Sequence, residues 1–135
     1  SVATASNAEE RLQAGLDGFL SFVEERRGAW RLLIRHSADA GITATFERLF
    51  DEIAEAIGAL MAQEVPATAS PEGIEFDMAV AAIARQLLGS IRAIADWWDE
   101  NREITREQIL VMVMEFSWVG MQRVASGETW MPAAD

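Results

Sequence analysis

The stretch Ile109-Leu110-Val111-Met112-Val113-Met114-Glu115-Phe116-Ser117-Trp118-Val119-Gly120-Met121 decides how the chain is read, because ten of its thirteen residues are large and apolar. Crossing a membrane takes roughly 20 predominantly apolar residues, whereas this run carries Glu115 and is entered through Thr105-Arg106-Glu107-Gln108. Wound into a helix, it places Ile109, Met112, Val113, Phe116, Val119 and Gly120 on one side and Leu110, Val111, Met114, Trp118 and Met121 on another. The only polar strip is Gln108, Glu115 and Gln122, spaced by sevens. A helix that is apolar nearly all round needs cover on more than one face. Four such side chains left in water would forgo about 6 kcal/mol at ~1.5 kcal/mol each, comparable to the whole stability of a small domain. The expected second cover is another copy of the chain.

Upstream of this helix the apolar spacing stays helical, with no strand-like alternation and no internal repeat. Asn7 and Glu10 have capping-box spacing, and Leu12, Leu16, Phe19 and Val23 follow at helical intervals, predicting a first helix over 8–27. A short second helix over 29–35 carries Trp30, Leu33 and Ile34, and 36–41 reads as a bend. Thr43 or Thr45 is placed to cap a third helix reaching about Gln63, whose stripe is Phe46, Leu49, Phe50, Ile53, Ile57, Leu60 and Met61. Residues 65–73 hold two prolines and break the pattern without separating domains. The fourth helix, 74–100, turns Val80, Ile83, Ala84, Leu87, Leu88, Ile91, Ile94, Ala95 and Trp98 toward a core. Thr105 and Gln108 form a second capping box that opens the fifth helix, and Ser126-Gly127 ends it. The expected organisation is a leader over 1–8, one helical domain over 9–127, and a tail over 128–135 whose Trp130-Met131-Pro132 folds back on the body.

Composition narrows the function. The 135 residues suffice for one domain, half of them are hydrophobic, and the formal net charge is −11 with 22 acidic against 11 basic residues. A nucleic-acid surface needs the opposite balance, so the chain by itself is not expected to grip DNA or RNA. There is no cysteine, which removes thiol catalysis, cysteine zinc sites and disulfides and fits a cytoplasmic setting. His36 is the only histidine, and the residue three before it is Leu33, so neither a catalytic triad nor a helical di-iron site can be assembled around it. It reads as a structural or solvent-facing imidazole. Serine-hydrolase, phosphate-loop, dinucleotide and zinc-protease motifs are all missing, which makes an enzyme the weaker class and leaves no cofactor or metal to assign. Glu115, amid apolar neighbours, needs a partner such as Arg85, Arg92 or Arg123, or a place at the bundle edge.

Local wording carries a resemblance as well. Phe19-Leu20-Ser21-Phe22-Val23-Glu24-Glu25 followed by Trp30-Arg31-Leu32-Leu33, then Leu87-Leu88-Gly89 leading to Ala95-Asp96-Trp97-Trp98, then Trp118-Val119-Gly120 leading to Gly127, resemble the C-terminal ligand-binding and dimerisation domain of TetR-family transcriptional repressors. The likeness runs over residues 9–127. It implies an all-α antiparallel bundle of about five helices, a homodimer pairing the last two long helices, and a buried pocket for a small organic effector. It also implies an N-terminal helix-turn-helix domain of roughly 50 residues that reads DNA; no basic pattern of that kind precedes Glu9, so the chain reads as a regulatory half.

On this reading Trp30, Phe46, Phe50, Ile91, Trp98, Met112 and Phe116 sit on inward stripes of the helices that the family packs around its pocket, and are the expected ligand-binding residues. Adjacent Trp97 and Trp98 point about 100° apart, so only one enters the core. Trp97 ends a row of mostly small residues, Ala82, Gln86, Gly89 and Ala93; these, with Leu110, Met114, Ser117, Trp118 and Met121, form the expected dimer face. The expected function is effector-controlled repression by an apolar or aromatic small molecule. The competing reading is a ligand-free helical homodimer acting as a protein interaction module.

Overall fold

The computed structural model describes residues 2–34, 40–64 and 70–133. Within them the chain forms five helices and no strand: α1 (Val2–Glu25), α2 (Arg27–Ile34), α3 (Ala40–Glu64), α4 (Phe76–Asp99) and α5 (Arg106–Ala125). The all-α antiparallel bundle that the resemblance implies is the fold. α3 and α4 run antiparallel, tied at their outer edges by Arg85 to Asp51 at 3.0 Å and Arg92 to Glu47 at 3.7 Å. α1 and α5 run antiparallel too, since Arg106 at the start of α5 reaches Ser21 at 2.6 Å, Asp17 at 3.2 Å and Glu24 at 3.4 Å near the end of α1.

One core joins all five helices: Leu16, Leu20 and Val23 from α1, Trp30 from α2, Phe46 and Phe50 from α3, Leu87, Ile91, Ala95 and Trp98 from α4, and Ile109 and Val113 from α5. Trp98 and Trp97 part company as helix geometry requires. Trp98 is buried and its Nε1 donates to the Ile104 carbonyl at 2.7 Å, while Trp97 stays 46% exposed. The capping box at α5 forms in full, with Thr105 Oγ1 accepting from the Gln108 amide at 3.1 Å and Gln108 Oε1 accepting from the Thr105 amide at 2.9 Å. Past its other end Gly127 takes φ +103, a left-handed conformation that costs glycine little.

Four expectations change. α1 begins at Val2, so residues read as a leader belong to its first turns and Asn7 lies inside the helix rather than at its start; the alanines at 3, 5 and 8 are good helix formers that let the helix extend. α3 begins at Ala40, earlier than a cap at Thr43 or Thr45, and the Thr45 hydroxyl donates back to the Gly41 carbonyl at 2.9 Å within the helix. The tail does not fold back, for Trp130 is 84% exposed; Arg123 holds Glu128 at 2.6 Å and fixes the exit from α5. Arg123 is thus taken, Arg85 and Arg92 pair with α3, and Glu115 is exposed at the bundle edge. His36 and most of the expected bend at 36–41 lie outside the described residues, as does the first half of the 65–73 connection.

By length and composition α4 could cross a membrane, with a mean hydropathy of 1.4 over its most apolar window. Its burial pattern accounts for that character: one face forms the core and the opposite face carries small residues.

Candidate functional site

A cavity of about 1010 Å³ is bounded by all five helices. α1 contributes Ala8, Arg11, Leu12, Gly15, Leu16, Phe19 and Phe22; α2 contributes Trp30; α4 contributes Leu87, Leu88 and Ile91; α5 contributes Trp118, Met121, Gln122 and Ala125. The longest wall is α3, whose whole apolar arc from Ile42 through Phe46, Leu49, Phe50, Ile53, Ile57 and Leu60 to Met61 faces it.

This space exists because α3 leans on α4 and stands away from α1. Phe46, Phe50 and Ala54 of α3 are buried, while Leu49 remains 49% exposed and Ile42, Ile53 and Leu60 are open on the same wall. Across from them α1 presents Gly15, where a Cβ would meet nothing within 4 Å. The inner end is aromatic. Phe19 meets Trp30 edge-on with centroids 5.4 Å apart, Trp30 meets Phe46 at 6.4 Å, and Phe46 meets Phe50 at 4.5 Å. Arg92 lies over the Phe46 and Phe50 rings at 5.2 and 5.0 Å and helps hold them, an arrangement in which a guanidinium is attracted to the ring faces.

Polar groups on the cavity wall are few. They are the Arg11 guanidinium, the Thr45 hydroxyl, the Gln122 amide and the indole N–H groups of Trp30 and Trp118; no Asp or Glu lines it among the described residues. Trp30 Nε1 is buried with no hydrogen-bond partner. Nor do the described residues assemble a cluster of His, Cys, Asp or Glu fit for a metal ion. Among the described residues the wall is apolar with scattered donors and brings no acid and base together, the make-up of a small-molecule pocket.

Of the residues expected to bind ligand, Trp30, Phe46, Phe50 and Ile91 line the cavity. Trp98 is buried behind it, spent on packing and on its bond to Ile104. Met112 and Phe116 lie elsewhere altogether, on the outer side of α5 and exposed at 45% and 82%. Conversely, Trp118 and Met121, expected at the dimer face, line the cavity; Leu110 and Met114 are half-buried against the core, and Ser117 is half-buried too. The rotation of α5 is therefore about a quarter turn from the expected one. Ile109 and Val113 point inward as expected, but the inward sector runs from them toward Leu110, Ser117 and Met121 rather than toward Met112 and Phe116. On α4 the row Ala82, Gln86, Gly89, Ala93 and Trp97 is exposed, as a face kept for a partner would be.

A second polar feature escaped the sequence reading. Asp99, buried at the end of α4, accepts from Arg27 Nε at 3.0 Å, Arg31 Nε at 2.7 Å and Arg102 Nη2 at 2.9 Å, while Arg27 Nη2 also donates to the Asp99 carbonyl at 3.0 Å. It locks α2 against the α4–α5 turn. The spacing of Arg27 and Arg31 by one helical turn was a visible hint, but nothing in the sequence named a carboxylate 68 residues away as their partner.

Compared with known families, the chain matches the family model described as the tetracyclin repressor-like C-terminal domain over residues 8–120. It belongs to that family. A TetR-like C-terminal domain is a regulatory domain of a transcription regulator rather than an enzyme. The match covers α1 to α4 and most of α5, and so takes in the cavity wall apart from Met121, Gln122 and Ala125. No curated protein and no solved structure gives a match.

Proposed function

We propose that this TetR-like domain is the effector-sensing and dimerising half of a cytoplasmic transcriptional repressor. A small apolar or aromatic molecule fills the cavity, and the occupied state changes how two helix-turn-helix heads, carried N-terminal to α1 in the intact regulator, sit on DNA. The observation that supports this reading is the cavity itself, at about 1010 Å³ of largely apolar space in a chain of 135 residues. A core left this open loses packing contacts, and a ligand restores them. Coupling follows from geometry: the cavity lies between α1, which would lead toward the DNA-reading head, and α4 and α5, which would carry the dimer. A ligand that binds one spacing of these helices better than another shifts the population toward it by its difference in affinity.

The partner surface we propose is the outer face of α4, with Gly89, Ala93 and Trp97, continued by the outer face of α5, with Met112, Phe116 and Val119. Phe116→Glu should convert the homodimer to monomers in sedimentation velocity, and an unchanged dimer would place the interface elsewhere. For the effector, titration of a library of apolar and aromatic compounds should quench tryptophan fluorescence through Trp30 and Trp118 and raise the melting temperature. A library that does neither would favour the ligand-free interaction module.

A further inference from the structure

Resting on that effector reading, the wall chemistry narrows the ligand: we infer that the cavity takes a molecule with an apolar body ending in an anionic, acceptor-only head group such as a carboxylate, and that Arg11 receives the head.

The charged group on the wall is a cation, although the chain as a whole carries −11. Among the described residues seven other arginines are matched to carboxylates, Arg27, Arg31 and Arg102 to Asp99, Arg85 to Asp51, Arg92 to Glu47, Arg106 to Asp17 and Glu24, and Arg123 to Glu128, whereas Arg48 reaches only the Thr45 hydroxyl and Arg26, which does not line the cavity, has no carboxylate partner. Arg11 makes no hydrogen bond or ion pair among the described residues. Trp30, 1% exposed, also leaves Nε1 without an acceptor, but it lies at the other end of the cavity and is not a partner for the same head. Guanidinium and indole are both donors with no acceptor capacity. Thr45 uses its hydroxyl locally, donating to Gly41 and accepting from Arg48. At the Arg11 end the unmatched charge is a donor that asks for a negatively charged acceptor.

Gln122 lines the cavity on the side of α5. Because α1 and α5 are antiparallel with Arg106 beside Ser21, Gln122 lies about 24 Å along α5 from that point and Arg11 about 15 Å back along α1, toward the same end of the cavity. The aromatic group around Trp30 is at the far end of that stretch of α1, so a head at Arg11 would leave the apolar body pointing inward. The chain's negative field opposes an anion at long range, but charges beyond about 8 Å are largely screened at physiological salt, while Arg11 would touch the head directly.

The test is calorimetric titration of three probes with a twelve-carbon chain, each below its micelle concentration or solubility limit: dodecanoate, dodecanol and dodecyltrimethylammonium. Dodecanoate should bind about tenfold tighter than dodecanol, the effect of one charge-assisted hydrogen-bonded contact, and the ammonium probe weakest. In Arg11→Gln, an exposed position whose loss leaves the core intact, the dodecanoate-to-dodecanol ratio should fall to about one. If dodecanoate and dodecanol bind equally to the unaltered protein, or the ammonium probe binds tightest, the head-group assignment is overturned while the apolar cavity reading stands. If none of the three binds, both are overturned.

Discussion

Leu20, Val23, Trp98 and Ile109 close one part of the bundle to 0–1% exposure, whereas Ile42, Leu49, Ile53 and Leu60 on α3 present equally apolar side chains to open space. Both regions have the same residue types and the same helical spacing. What differs is the distance between the helices. α1, α4 and α5 are drawn together where Arg106 reaches across to α1, Asp99 gathers three arginines and Trp98 bonds the following turn, so the apolar groups between them seal. Between α3 and α1, Gly15 removes the side chain that would have filled the gap. Hydrophobicity sets which faces turn inward; directional contacts and one missing side chain decide where they meet.

The sharpest way to break this contrast is to cut the tie. Asp99→Ala should destabilise the fold by about 3 kcal/mol, at the lower end for losing one partner of a buried ion pair, because the three arginines it leaves can turn to water. Chemical denaturation would read this, and a loss under 1 kcal/mol would mean that α2 docks through Trp30 alone. A matched pair comes next. Leu20→Ala should cost about 3 kcal/mol, a sealed core truncation, and Leu49→Ala under 1 kcal/mol because Leu49 already faces open space. Equal losses would show that the α3 wall is packed as tightly as the rest.

Filling the gap should reverse the sign. Gly15→Leu puts a side chain where nothing stands within 4 Å and replaces a poor helix former, so stability should rise by about 0.5–1 kcal/mol while binding of any cavity ligand weakens. A destabilised variant would indicate that α3 closes on α1. The smallest effect belongs to the exposed counterpart of Asp99. The hydrogen bond from Arg123 holds the Glu128 carboxyl below its ordinary range, so the pair contributes above the unfolded carboxylate pKa and is lost as pH falls through the lower folded value. Both groups are in water, so Glu128→Gln should lower the melting temperature only slightly near neutral pH, and the difference from the unaltered protein should vanish at the acid end of the pH profile.

Apolar periodicity by itself determined five helices, the inward stripes of α1 and α4, the separation of Trp97 from Trp98 and the Thr105 capping box, because each is a local consequence of 3.6 residues per turn or of a side chain reaching its own backbone. It also determined that α5 would be short of cover, and Phe116 at 82% exposure is where that shortage falls. Only the tertiary structure decided which side of α5 is inward. A helix apolar nearly all round has no moment to choose its own rotation, so Arg106 on α1, with Ile109 and Val113 in the core, chose it instead. The same holds for the cavity. That the α3 stripe would be apolar follows from its residues, but that it would line a space with Arg11 at one end depends on how far α3 stands from α1, a distance set by contacts among residues remote in the chain.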